Sequence, residues 1–370
     1  MIDPVLHPIA QTPIFKLLVD GKPFPSARIL RIEATDAAGF ESDELRLTLD
    51  DSAPQIETPR EGATYELSLG YAEWGPPIFI GTYVFEEIER NGYERTLTLT
   101  AKAADHAESL KEPKTRAWEG QTFGAICGTI AREHNLKLAI ASDLAAFGVA
   151  YIAQTEESDQ HFLTRLGRRL GAVVAPKDGR LLISSRGSGK TVSGKPMPTI
   201  FITTQQLIAD NAYMVRRKPR SRYSRVIAKW QDRAAGRTRT ITLKAGLKGP
   251  SMTLREVFQS AADARKAAEA KVKELRAGEG ELSCDLVGFP KARAEAPIKV
   301  QGVAPDADGD WIAASVTHIW DYTDGSGAVT TVEAEFGMEE NSDKKKPTKS
   351  KKKTKSTPKQ TGEYVSILDR

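Results

Sequence analysis

The strictest constraint in this chain is a period of two that recurs through residues 14–104. "DELRLTL" (43–49) puts Leu45, Leu47 and Leu49 on one face and Arg46 and Thr48 on the other. "ATYELSLGY" alternates Tyr65, Leu67, Leu69 and Tyr71, and "ERTLTLTA" sets Leu97, Leu99 and Ala101 against threonines. A helix would scatter these side chains around its axis. A strand collects them on one side, so the pattern predicts half-buried antiparallel strands. Asp20-Gly21, Pro76-Pro77 and Asn91-Gly92 supply turns between the runs, and Asn-Gly is a strong hairpin signal. Residues 1–111 are therefore expected to form a closed or nearly closed β domain.

The period changes near residue 112. "TFGAICGTIAREHNL" places Phe123, Ile126 and Ile130 at helical spacing behind Thr122, an N-cap residue. "ESDQHFLTRLGRRLGAVV" repeats this with Phe162, Leu163, Leu166 and Leu170, capped by Ser158 and ended by Gly171. Residues 172–175 and 181–183 read as a small hairpin, so 112–215 is expected as an α+β insertion. Strands resume at "YSRVIAKWQD" and "GRTRTITLKA". One long helix follows, with Val257, Ala261, Ala264, Ala268, Val272 and Leu275 stepping by three or four. Its alanine-rich stripe should pack closely on a sheet. The strands "ELSCDLVG", "PIKVQGV", "DWIAASVTHIWDY" and "AVTTVEAEFG" complete a second β domain over 216–340. Residues 81–103 and 310–336 share one pattern, a long hairpin with an apolar first strand and a Thr-rich second, which hints at two copies of one fold. The expected class is α+β, mostly β: two antiparallel β-barrel domains, an α+β insertion between them, and a disordered basic C-terminal tail over 341–370.

Charge separates the tail from the body. The net charge is +4, but nine lysines lie in residues 344–359, and removing them leaves 4 − 9 = −5. A mildly acidic body argues against a uniformly DNA-binding fold. The tail cannot bury enough apolar surface to fold, yet it ends in "EYVSILDR", where Tyr364, Val365, Ile367 and Leu368 make either a docking tip or a plain disordered end. No apolar run approaches the roughly 20 residues that span a bilayer, and Met1-Ile2-Asp3-Pro4 lacks the order of a signal peptide. Cys127 and Cys284 alone supply neither a disulfide framework nor a zinc cluster. Synthesis in a reducing cytoplasm is expected.

Catalytic patterns fail on inspection. "LLISSRGSGKT" (181–191) resembles a phosphate loop, but Ser184 occupies the first glycine position and Pro196 and Pro198 forbid the helix that must follow. It reads as a polar loop. Among His7, His106, His134, His161 and His318 no pair is spaced for a metal, and surface or capping roles are expected for His134 and His161. Asp105-His106 lacks a nucleophile setting, and Glu86-Glu87 and Glu156-Glu157 point apart. No catalytic residue, cofactor or metal is assigned. The cluster "RRKPRSRYSR" (216–225) carries Arg216, Arg217, Arg220 and Arg222. It could grip phosphates, or it is a solvated linker or an interface with an acidic neighbour. The second reading is favoured because no recognition element surrounds it.

With those residues in view, the chain resembles the phage late control D family, the baseplate hubs of contractile tails, and is similar to the hub region of type VI secretion spike proteins. The resemblance lies in "RIEATDAAGFESDELRLTLDD" (31–51), "PIFIGTYVFEEIE" (77–89), "TAKAADHAESLKEPKTRAWEGQTFGAI" (100–126) and "QTEESDQHFLTRLGRRLGAVVAPKDGRLL" (154–182). It implies a structural protein of a phage tail or headless tailocin particle. It further implies a homotrimer of two tube-like domains per chain, forming a pseudo-six-fold ring between a hexameric tail tube and a trimeric spike. The implied partners are the tail tube protein or its initiator, the spike, baseplate wedge proteins and the tape-measure protein, with no membrane anchor and no specific nucleic acid. A tail-associated peptidoglycan hydrolase and a DNA-binding late-gene regulator are the alternatives.

Overall fold

A computed structural model describes residues 11–39, 42–103, 107–177, 179–209, 212–217, 223–246, 249–323 and 327–336. The alternating runs become β1 (Pro13–Val19), β2 (Lys22–Pro23), β3 (Ile29–Ala37), β4 (Glu44–Asp50), β5 (Thr64–Tyr71), β6 (Ile78–Asn91) and β7 (Thr96–Ala103). They are antiparallel throughout, in the order β1-β5-β6-β7-β4-β3 with β2 beyond β1. Leu45, Leu47, Leu49, Leu67, Leu69 and Leu97 are fully buried in one apolar cluster, as the alternation predicts. Burial of each leucine contributes about 1.5–3 kcal/mol. Asn91 closes the β6–β7 hairpin by accepting from the amides of Tyr93 and Glu94 at 3.1 and 3.2 Å.

The helical stretch follows: α1 (Ala107–Leu110), β8 (Pro113–Thr122), α2 (Phe123–Glu133), β9 (Lys137–Ile140), α3 (Ser142–Ala145), β10 (Gly148–Ser158), α4 (Asp159–Leu170), β11 (Ala172–Lys177) and β12 (Arg180–Ser185). Thr122 accepts from the Ala125 amide at 3.1 Å and Ser158 from that of His161 at 3.2 Å. Gly171 stops α4 in the left-handed conformation, φ 67°. The helices bury Phe123, Ile126, Ile130, Phe162, Leu163, Leu166 and Leu170 in a core of their own.

Next come β13 (Ile200–Ile202), β14 (Tyr213–Arg217), β15 (Arg225–Asp232), β16 (Arg237–Lys244), β17 (Ser251–Phe258), α5 (Ala261–Ala277), β18 (Gly280–Val287), β19 (Pro297–Val300), β20 (Gly309–Asp321) and β21 (Gly327–Phe336). Six of these strands form the order β13-β19-β20-β21-β18-β14. In chain order this is the first half again, strand for strand. The match extends to single bonds. The β6–β7 register slips by one residue between Phe85 and Glu87, and the β20–β21 register slips between Ala313 and Ser315. Phe85 donates its amide to Ala63 at 2.9 Å, and Ala313 donates to Ala296 at 3.0 Å. Just before those acceptors, Gly62 and Glu295 both take positive φ, 71° and 63°. One pairing departs from the match: β13 runs parallel to β19, whereas β1 runs antiparallel to β5.

The two halves are stitched by β20 pairing with β3, which makes one 13-stranded sheet. Trp320, at the end of β20, is buried in the core of the first half, while Trp311 on the same strand is buried in that of the second.

Three expectations shift. The sequence places β15 and β16 among the strands of the second β domain and marks no strand at β17. All three instead form a separate three-stranded sheet with α5 on one face, where Ala264, Ala267 and Ala268 pack on Val226 and Phe258. This excursion fills the β14–β18 connection, whose counterpart between β3 and β4 spans only residues 38–43. Val257 is also not helical: it lies on β17, exposed, and α5 begins after Ser260, which accepts from the Asp263 amide at 3.2 Å. Moreover, the large sheet takes in β13 and β14, which lie almost wholly inside the segment expected as the insertion.

Candidate assembly surfaces

The alternation that fills the cores leaves a polar face on the opposite side of the sheet. Glu44, Arg46 and Thr48 on β4 stand beside Thr98, Thr100 and Lys102 on β7. Glu87 and Glu89 on β6 lie opposite Thr100 and Thr98. The second half continues the surface with Glu281, Ser283 and Asp285 on β18 and Thr331, Glu333 and Glu335 on β21. Threonines and carboxylates dominate it. A Thr side chain solvates a strand face without the long reach of Lys or Arg, which fits a surface along which something passes.

The sheet also has free edges. β14 bonds β18 on one side only, and no described strand pairs with its other side. β5 ends opposite Val84 on β6, so among the described strands residues 86–91 pair with β7 alone, while the Arg90 side chain reaches back to Asp51 (2.8 Å) and the Ile56 carbonyl (2.6 Å). Unpaired amides and carbonyls invite another strand.

The expected basic cluster divides. Arg216 projects from β14 and meets Glu281 at 3.4 Å, both side chains half exposed or more. Arg217 lies over the rings of Phe336 (4.3 Å) and Trp311 (5.0 Å) and donates to the Asp306 carbonyl at 2.9 Å. Arg217 is thus partly a packing residue, not one finger of a phosphate grip. Arg220, Arg222 and the tail residues Tyr364, Val365, Ile367 and Leu368 lie outside the described residues, as do His7, Asp105 and His106. The phosphate-loop lookalike is a turn: the Thr191 amide donates to the Lys195 carbonyl at 2.8 Å, and no helix opens after Gly189.

Two charged clusters escaped the sequence reading. In the first, Asp159, wholly buried at the start of α4, accepts from Lys114 (2.7 Å), Arg116 (2.5 Å), Gln154 (2.8 Å) and His134 Nε2 (2.8 Å). Burial alone would raise its pKa. The bonds from His134, Lys114 and Gln154 and the charge of Arg116 outweigh it and hold the carboxyl at about 2. His134 is therefore not a surface residue. It caps the C-terminus of α2 and is buried with both ring nitrogens bonded, to Ser109 and Asp159. Glu133, His134 and Asp159 are spaced like metal ligands, but Lys114 and Arg116 already neutralise the carboxylates, so the set is a structural clamp. The signal was present: Asp159 follows the N-cap Ser158 in the family-like Glu157-Ser158-Asp159 run.

In the second, Lys177 at the end of β11 reaches into the large sheet and binds Asp36 (2.5 Å) and Asp43 (2.9 Å). Burial and the neighbouring Asp36 push the Asp43 carboxyl up to about 6 against the pull of Lys177. Nothing in the sequence spacing joins residue 177 to 36 and 43. These clusters fasten the inserted segment internally and to the sheet, and Asp36, Asp43 and Lys177 also line a cavity of about 820 Å³.

A large sheet with a polar face, free edges and buried structural charges defines a scaffold protein of a larger assembly. Comparison with known proteins says which one. Residues 63–323 match the profile of the family described as "Phage tail baseplate hub (GPD)". The "Probable baseplate hub protein" of Escherichia phage 186 is 31% identical over 351 residues, covering 85% of this chain and 89% of the phage protein. Among solved structures, the 43 kDa tail protein of prophage MuSo2 from Shewanella oneidensis superposes with a TM-score of 0.64 at 16% identity. That alignment covers 87% of this chain and 98% of the other. The Escherichia coli c3393 protein, a type VI secretion component, gives 0.51 at 14% identity over 86% of this chain and 76% of its own. The chain belongs to the phage tail baseplate hub family.

Proposed function

We propose that this chain is a ring-forming hub subunit: two tube-like modules per chain, three chains per ring, six similar modules facing a hexameric tail tube on one side and a trimeric spike on the other. The observation that carries the reading is the strand order read twice, β1-β5-β6-β7-β4-β3 and β13-β19-β20-β21-β18-β14, with matching bulges. A chain holding two copies of one module presents near-six-fold contacts from three-fold symmetry without a mismatch. The face rich in Thr and Glu lines the channel and repels nucleic acid, so that polymer slides. In a phage or headless tailocin particle the remaining contacts are with wedge and tape-measure proteins, and no catalytic step is required.

Mass measurement in solution, with and without the cognate spike, combined with copy number in purified particles, tests the reading. Three copies at the tube–spike junction are expected. Any other stoichiometry, or intact particles lacking this chain, ends it.

A further inference from the structure

The β3–β20 seam inside one chain defines a rule that both free edges can obey. By strand order and register, β14 occupies in the second half the place of β3 in the first, and β6 that of β20. Thr35 lies opposite Glu44, itself opposite Lys102; Arg216 lies opposite Glu281, itself opposite Glu335. Arg216 is therefore the counterpart of Thr35. Thr317 lies opposite Thr331 two residues past the β20 bulge partner Ser315, and Glu89 lies opposite Thr98 two residues past Glu87, so Glu89 is the counterpart of Thr317. Within the chain, β3 is covered by β20, with Thr35 opposite Thr317 and Glu33 opposite Ile319. Among the described residues, no strand lies beside the two counterpart edges, β14 and residues 86–91 of β6.

We infer that β14 of one copy pairs antiparallel with residues 86–91 of β6 in a second copy, in the register of the in-chain seam. Arg216 then faces Glu89, Met214 faces Asn91, and Val215 faces Arg90. The inference rests on the reading of the chain as a ring subunit and names the contact that joins its copies. Three observations favour a second copy as the occupant. The charges are complementary: an exposed Arg on one edge meets an exposed Glu on the other. Met214, 60% exposed on β14, gains cover. The aromatic partner changes strand but not place: Trp320 opposite Ile32 in the chain becomes Gly92 opposite Tyr213 between copies.

Disulfide trapping tests the register. Two single variants of the full chain, Asn91→Cys and Met214→Cys, carry tags of different size and are mixed and oxidised. The native thiols of Cys127 and Cys284 are buried and give little background. A covalent heterodimer is expected, because directly opposed Cβ atoms lie about 4.5–5.5 Å apart, close to disulfide range, whereas diagonal ones lie about 7–8 Å apart. The shifted pair, Glu89→Cys with Met214→Cys, should give at least tenfold less product. Equal trapping of both pairs, or three-fold particles by mass with no trapping, overturns the seam and leaves the hub reading standing. A chain that stays monomeric at every concentration also overturns it, while copy number in particles judges the hub reading separately. As a second arm, Glu89→Arg and Arg216→Glu should each weaken self-association and the double variant should restore it. Failure of the double variant to recover counts against the facing pair.

Discussion

The two halves of the large sheet share a strand order but treat their edges and loops differently. In the first half β3 and β4 are joined over residues 38–43, and β3 is sealed by β20. In the second half the equivalent connection carries a three-stranded sheet and α5, and the equivalent strand, β14, stays open. Their cores differ in the same sense. The first is filled by its own leucines and by Trp320 contributed from β20, while the described buried residues of the second core all come from its own half. One half is thus completed within the chain. The other keeps a bare edge, as a module that expects a neighbour would.

The largest effect should come from Trp320. Trp320→Ala empties a fully buried site in a core it shares with Leu47, Leu67 and Tyr71, and we expect a loss of about 3–5 kcal/mol. The exchange of amides in β3–β7 should speed up although the substitution lies on β20. Trp311→Ala, in the other core, should lose a similar amount and also the 2.7 Å bond to the Ala307 carbonyl, but leave β3–β7 protected. Hydrogen exchange read strand by strand separates the two. If Trp320→Ala loosens only β18–β21, the first half does not depend on the second.

Gly288 probes the same dependence from the other side. Tyr71, in the first half, donates its hydroxyl to the Gly288 carbonyl at 3.0 Å. A Cβ at Gly288 would stand 2.3 Å from that hydroxyl and 2.7 Å from Ala328 Cβ. Gly288→Ala should therefore cost about 1–3 kcal/mol by overpacking. Chemical denaturation of Gly288→Ala alone and with Tyr71→Phe checks this. Partial recovery in the double variant identifies the hydroxyl as the obstacle.

Acid should also tell the halves apart. His318 is buried on β20 beside Thr330, and burial, aided by the charge of Arg293, lowers its pKa to about 4. A depressed value means its contribution is complete above the unfolded value near 6.5 and disappears as pH falls through 4. Its counterpart in the first half, by strand order and register, is Arg90. Asp43 has the opposite sign: with its carboxyl raised to about 6, its contribution is present below about 4 and fades as pH rises through 6. Between pH 6.5 and 4, amides of β20 and β21 should lose protection first, and His318→Gln should flatten that response. Faster loss in β4–β7 would contradict the assignment.

How much of this was readable before the fold was known depends on range. The strands of the first half were legible because Leu45, Leu67 and Leu97 alternate with polar partners, and one solvated face imposes that pattern. The caps Thr122, Ser158 and Gly171 were legible because capping acts over three or four residues. The likeness of 81–103 to 310–336 was visible as two hairpins, β6–β7 and β20–β21. The seam was not: β3 and β20 lie far apart in sequence, and their pairing leaves no local mark. The sheet carried between β14 and β18 was also hidden, since Val226 and Ala228 alternate as any strand would. Asp159 and Lys177 were overlooked because their charged partners, 25–45 and 134–141 residues distant, are brought to them only by packing.

The finest comparison sets Thr35 against Arg216, the residues at matching positions on the sealed edge and the open one. Thr35 and Thr317 share a hydrogen bond of 3.1 Å across the in-chain seam. Thr35→Ala should lower the stability of the isolated chain by about 1 kcal/mol. Among the described residues Arg216 has only an exposed, 3.4 Å contact with Glu281, so Arg216→Ala should change that stability by less than about 0.5 kcal/mol. Its effect should appear instead in self-association, measured as mass against concentration, and should shrink as salt rises because an exposed charge pair is screened. Thr35→Ala should leave association untouched. If the two substitutions act alike, with stability moving and association constant, then β14 is a finished edge, and the difference between the halves lies in their loops alone.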